Sequence, residues 1–145
     1  MSICLLDINM LIALAWPSHI HHDIAHNWFL KNSKSGWSTC PLTQIGFIRI
    51  SSNPKIIPHA VSPAEAVASL YEMTEHKAHK FWPDNISIKD SAFLISDLLF
   101  GHRQVTDAYL LSLAIYNRGR LITMDKSLRS LLKKESRHHS CLEIV

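Results

Sequence analysis

The sequence predicts an α/β protein with a mostly parallel central sheet and helices on both of its faces. Three observations carry this. Ile3 to Leu6 is a short continuous apolar run, the pattern of a strand buried on both sides, and Leu121-Ile122-Thr123-Met124 reads as another buried strand. Segments with apolar residues at helical spacing alternate with such runs along the whole chain. Proline, glycine and capping residues punctuate the two kinds of segment at the expected places.

At 145 residues the chain reads as a single domain over residues 1–145, long enough to bury about two-thirds of its unfolded surface without disulfides. Its start is a strand followed at once by a helix. Asp7 stands where the strand Ile3 to Leu6 runs out, and Asn9, a good N-cap residue, opens the apolar run Met10 to Ala15. Next comes a histidine cluster, His19, His21, His22 and His26, in which His22 and His26 share a helix face. It reads as the polar side of an amphipathic helix with Ala25, Trp28 and Phe29 inward, ending near Lys31-Asn32. Trp37 to Thr39 is the second strand. Pro41 suits the first turn of a helix with Leu42, Ile45 and Ile48 inward and Phe47 as a further candidate; Asn53-Pro54 stops it.

Ser62-Pro63-Ala64-Glu65 is a capping box with proline at N1. Its helix should run to about His76, with Val67, Leu70 and Tyr71 inward. Phe81 to Asp84 reads as a strand end or turn, and Asp90 to Phe100 as a helix with Phe93, Leu94, Leu98 and Leu99 inward, closed by Gly101. His102 to Val105 is a polar loop, Thr106 an N-cap, and Leu110 to Tyr116 a buried helix ending at Asn117-Arg118-Gly119. Leu121 to Met124 is another buried strand. Ser127 starts a short basic helix, and Cys141 to Val145 is the last strand.

The three cysteines, Cys4, Cys40 and Cys141, are odd in number and set among apolar neighbours. This reads as reduced thiols of a cytoplasmic protein. No basic segment leads into an apolar signal core, and no apolar run is long enough to span a bilayer. A net charge of +3 permits a polyanionic partner without demanding one.

Three of the twelve acidic residues share one kind of address. Asp7 and Asp125 end apolar strands, and Asp107 begins a buried helix. In an open α/β sheet, strand C-termini and helix N-termini lie along the same edge. Carboxylates gathered there raise one another's pKa unless a cation neutralises them. An oxygen-only donor set with vacant positions suits Mg²⁺ or Mn²⁺, and its chemistry is metal-assisted hydrolysis of a phosphodiester.

Four stretches resemble the PIN-domain ribonucleases, and among them the toxins of VapBC toxin–antitoxin pairs. They are L-L-D-I-N-M-L-I-A-L at 5–14, T-C-P-L-T-Q-I-G-F-I-R-I-S-S-N-P at 39–54, H-R-Q-V-T-D-A-Y-L-L-S-L-A at 102–114 and L-I-T-M-D at 121–125, in the family's order. The resemblance implies a PIN-like three-layer α/β/α sandwich, endoribonuclease activity dependent on Mg²⁺ or Mn²⁺, a homodimer, an RNA substrate and a small VapB-like antitoxin. The family's acidic positions carry over as Asp7, Asp107 and Asp125. Many members have glutamate where this chain has Gln44, so Gln44 is a catalytic candidate that brings no charge, with Asp97 a possible substitute. Thr43 and Asn9 are supporting candidates, Asn9 through a water on the metal. Among the basic residues near this edge (Arg118 and Arg129 included), Arg103, Arg49 and Lys126 are the candidates for gripping the RNA backbone. The four tryptophans, Trp16, Trp28, Trp37 and Trp82, are either core or partner-contact residues. Two other readings compete: a PIN-like RNA- or protein-binding module with weakened catalysis, which Gln44 supports, and a phosphatase with an aspartyl nucleophile. The second is disfavoured because Asn9 stands where a second aspartate would be needed.

Overall fold

The computed structural model describes residues 2–91 and 101–145. In chain order the regular elements are β1 (Cys4–Leu6), α1 (Ile8–Ala15), α2 (His22–Asn32), β2 (Trp37–Thr39), α3 (Pro41–Ser51), α4 (Pro63–Thr74), β3 (His79–Phe81), α5 (Val105–Tyr116), β4 (Arg120–Thr123) and β5 (Leu142–Ile144). Among the described residues these strands form one sheet in the order β3-β2-β1-β4-β5. Every pairing is parallel, with Cys4 beside Trp37 and Leu5 beside Leu121. The chain builds outward from β1 to β3, then returns to β1's other side with β4. The order therefore reverses between β1 and β4, and the crevice at their C-terminal ends is where such sheets bind ligands.

Layering follows from the strand residues. Leu5 and Leu121 point into one core, with Leu110, Leu111 and Leu113 of α5. Cys4, Leu6 and Ile122 point into the other, with Met10, Leu11, Trp28, Phe47 and Leu70 from α1 to α4. With both faces covered, β1 is apolar throughout and Leu121 and Ile122 of β4 are buried on opposite faces, which is why these strands read as apolar runs rather than alternating. Gly46 lets α3 approach α1: a Cβ there would collide with the Ile8 side chain. This close crossing sets α3 next to the end of β1.

Most element expectations hold; several details differ. The N-cap of α1 is Asp7, not Asn9: Asp7 Oδ1 accepts from the Ile8 amide at 2.7 Å. Asn9 is one residue into the helix, where its side chain is free to reach another element. Thr106 does not cap α5 either. A 3₁₀ turn over His102–Gln104 runs directly into Val105, so the helix begins before Thr106. Residues Lys126–Leu131 are likewise a 3₁₀ turn rather than a helix from Ser127. On α3 it is Phe47 that is fully buried, while Ile45 is 61% exposed. On α4 only Ala66 and Leu70 are buried, and Tyr71 is 69% exposed, because this helix rests on α3 along a single narrow stripe. The expected helix after Asp90 lies, from residue 92 on, outside the described residues, as do Phe93, Leu94, Leu98, Leu99 and Asp97.

Trp28, Trp37 and Trp82 are core residues, and Trp16 is half-buried. Cys4 and Cys40 are buried free thiols, and Cys141 is only partly covered. His22 and His26 do stack, with centroids 5.6 Å apart. The His22 ring also hydrogen-bonds the Ala13 carbonyl at 2.8 Å, so this histidine ties α2 to α1. No described helix is long and apolar enough to cross a membrane.

Candidate active site

The reversal point between β1 and β4 carries a dense polar network organised by one hydroxyl. Thr123, the last residue of β4, is fully buried. Its Oγ1 donates to Asp7 Oδ2 at 2.7 Å and accepts from Asn9 Nδ2 at 3.1 Å and from the Asp125 amide at 3.1 Å. Asn9 completes the link by accepting from the Met124 amide at 3.2 Å. One threonine thus positions the acid after β1, the first turn of α1 and the backbone leading to the acid after β4. Asp125 in turn accepts from the Ser127 amide at 2.9 Å and caps the 3₁₀ turn that follows.

Asp7, Asn9, Asp107 and Asp125 all line one cavity of about 820 Å³, together with Arg49. The three aspartates thus stand around one cavity at the C-terminal edge of the sheet. Their charges also sense one another. Burial pushes the Asp7 carboxyl up; the Thr123 hydroxyl and the Ile8 amide pull it down, and the Asp125 charge pushes it up again. Burial, then Asp7, then Asp125 raise Asp107 to about 7. Asp107 makes no hydrogen bond among the described residues that would offset this.

Such an arrangement is costly without a counter-ion, and the cost has a sign. Because the folded carboxyl of Asp107 titrates above its unfolded value of 3.8, its charge weakens the fold as pH rises from about 4 through 7, and acid relieves it. Asp107→Asn is expected to raise the melting temperature in EDTA at pH 8, with little change at pH 4. Thermal melts across that range check it; a fall in stability at pH 8 would contradict the mutual repulsion.

The other sequence candidates fall in different places. Gln44 is half-buried on α3 and does not line the cavity; its Nε2 donates to Thr39 Oγ1 at 3.0 Å. Thr43 is buried and turned back on its own helix, accepting from the Cys40 amide at 3.0 Å. Arg103 and Lys126 are exposed, on the turns before Asp107 and after Asp125, and neither lines the cavity. Sequence reasoning missed Thr123 altogether, since in L-I-T-M-D it reads as one more β-branched strand residue.

The donors fit a hard divalent cation. They are oxygens only, with acids from three separate elements and an amide oxygen near. Among the described residues no three His, Cys, Asp or Glu side chains stand close enough to enclose an ion. Mg²⁺ needs no such cage, because it keeps several waters and takes one or two carboxylates.

Residues 4–134 match the family model of the PIN domain. The chain belongs to the PIN-domain family. Within it, Ribonuclease VapC38 of Mycobacterium tuberculosis is 45% identical over 130 residues, covering 90% of each chain. Ribonuclease VapC39 of the same organism is 44% identical over 124 residues, 86% of this chain and 89% of that protein. This PIN domain thus falls in the VapC branch. Its fold is also similar to the crystal structure of Mycobacterium tuberculosis VapC20, described as a sarcin–ricin loop cleaving toxin. The TM-score is 0.65 at 11% identity, over 92% of this chain and 98% of that one. That likeness bears on the fold alone, and it agrees with the three-layer sandwich expected from the sequence.

Proposed function

We propose that this PIN domain is a divalent-metal-dependent endoribonuclease that hydrolyses RNA phosphodiester bonds, and the toxin half of a toxin–antitoxin pair. The observation that carries the reading is the gathering of Asp7, Asp107 and Asp125 around one cavity at the reversal point of the sheet. The names of its VapC relatives support the same chemistry.

Asp7, Asp107 and Asp125 are the residues that would hold Mg²⁺ or Mn²⁺. When bound there, the ion supplies a Lewis acid and an activated water beside the scissile phosphate. The chain's own part is orientation. Thr123 and the Ile8 amide fix both oxygens of Asp7, and Asn9 braces the start of α1 against the end of β4. Arg49, on the cavity wall, is suited to a phosphate of the RNA backbone, with Arg103 and Lys126 gripping the strand farther out. A VapB-like antitoxin covering the acids and a symmetric homodimer belong to the same reading, as does a cytoplasmic location.

The test is cleavage of structured RNA by the purified protein with Mn²⁺ or Mg²⁺, blocked by EDTA. RNA retained but never cut would favour the weakened binding module that Gln44 suggests; neither binding nor cleavage would defeat the reading. Gln44 is neutral and its amide nitrogen is engaged by Thr39. Gln44→Ala is therefore expected to lower Mn²⁺ affinity less than Asp107→Asn does. Calorimetric titration of both variants decides it, and an equal or larger loss in Gln44→Ala would make Gln44 a ligand in its own right.

A further inference from the structure

The cavity extends well past the carboxylates. Its far wall comes from the chain between α1 and α2 and the chain between α3 and α4, and includes Trp16, His19, Ile57 and His59. At about 820 Å³ it is far roomier than a hydrated ion and one phosphate require, and lies in the range of roughly 300–1,000 Å³ typical of pockets for organic ligands.

Trp16 is a prepared platform in that wall. Its Nε1 donates to Ser51 Oγ at 2.9 Å. Its ring lies nearly parallel to that of Phe47, with centroids 5.9 Å apart and planes 9° from parallel. Phe47 is fully buried, so the indole is anchored at one edge and packed beside a fixed ring while Trp16 lines the cavity. His19 is oriented too. Its Nδ1 accepts from the His21 amide at 3.0 Å, which leaves the proton of the neutral ring on Nε2 as a donor. Burial, with the nearby imidazoles of His21 and His22, holds His19 below the usual imidazole range, so the ring is neutral near pH 7. His59, on the exposed segment after Pro58, adds a second imidazole.

A fixed aromatic face, an apolar wall and imidazole donors suit a flat heterocycle with acceptors along its edge. Unpaired bases of RNA are held by stacking on aromatic side chains and by hydrogen bonds to their edges. We propose that the cavity beyond the carboxylates is a base-binding subsite, in which an unpaired nucleobase near the scissile phosphate stacks on Trp16 and meets the imidazoles of His19 and His59. It rests on the nuclease reading and deepens it: the substrate is RNA with an extruded base, held by that base as well as by its backbone. An amphipathic protein helix is the competing occupant. It would use the exposed Ile20, Ile45 and Ile56 on the same walls and would leave the two imidazoles without a purpose.

The test uses the full chain carrying 5-fluorotryptophan, with the Trp16 signal assigned through Trp16→Phe. The probes are adenosine 5′-monophosphate, which has no internucleotide bond to cut, and ribose 5-phosphate. The nucleotide is expected to shift the Trp16 resonance and the His19 and His59 ring signals, and to bind about tenfold more tightly than the sugar phosphate. Trp16→Ala should remove that difference and raise KM for RNA more than it lowers kcat. Trp16→Phe should keep most of it, and His59→Ala, a change on an exposed segment, should weaken nucleotide binding without altering the fold. Equal affinity for the two probes, or a Trp16 shift produced by an amphipathic peptide and not by the nucleotide, overturns the subsite. If RNA is still cut when the nucleotide shifts nothing, the subsite falls and the nuclease reading stands. If the nucleotide binds at Trp16 but wild type cuts no RNA, the nuclease reading falls, and the RNA assignment of the subsite with it.

Discussion

Asp7→Asn is expected to lower RNA cleavage by on the order of 10³-fold while leaving the protein folded. The two effects separate because the carboxylate has two jobs that asparagine shares unequally. As a cap, Asn keeps an oxygen to accept from the Ile8 amide, which Asp7 Oδ1 meets at 2.7 Å; at the position of Oδ2 it presents an NH2 group, so the 2.7 Å contact with Thr123 persists only with the hydroxyl turned to accept. As an anion, Asn offers nothing. Asp7 is 4% exposed and its charged form is disfavoured by burial, so removing the charge should hold or raise the melting temperature in EDTA. Cleavage assays paired with thermal melts read both. Retained cleavage would remove Asp7 from the machinery; lost cleavage with a collapsed fold would mean that its role is structural.

The second large effect is expected at Thr123. Valine has nearly the same shape but no hydroxyl. Thr123→Val would take the donor from Asp7 Oδ2 and the acceptor from both Asn9 Nδ2 and the Asp125 amide. The site is fully buried at Thr123, so water cannot replace all three partners. Leaving buried polar groups unpaired costs about 1–3 kcal/mol apiece. With partial relaxation the variant should lose roughly 2–4 kcal/mol of stability. It should also lose metal affinity, because neither acid is then aimed. Thr123→Ser keeps the hydroxyl and should restore most of both. Urea unfolding and Mn²⁺ titration of the pair check this. A valine variant as stable as wild type would show that the network is incidental.

Thr123 also marks where reading the sequence stopped. Asp7 and Asp125 could be found because an acid at the end of an apolar run breaks a pattern, and Asp107 because it opens a run too apolar to be anything but buried. Thr123 breaks no pattern: a β-branched residue is ordinary in a strand. Its hydroxyl becomes special only through a partner 116 residues earlier in the chain. The capping of α1 went astray for a related reason. Asn9 is a better textual cap than its position allows, because the helix starts at Ile8 once Asp7 takes the first amide; Asn9 is then free to reach β4. On α3, Ile45 and Phe47 could not be ranked from spacing, since the side of the helix that meets the core depends on Gly46 seating against Ile8.

By itself the sequence determined the local and periodic features: where most of the strands and helices lie, where Ser62 and Pro41 start theirs, that the sheet is mostly parallel and covered on both sides, and which acids stand at the strand ends. These depend on neighbours within a turn or two, or on the sheer run of apolar residues, and so are written in consecutive letters. Only the tertiary structure decided that β4 returns beside β1, that one threonine joins the two acids there, and that Trp16, held by Ser51 and Phe47, lines the cavity. Those are contacts between distant segments. Their geometry comes from how the helices pack over the sheet, and no spacing within either segment encodes it.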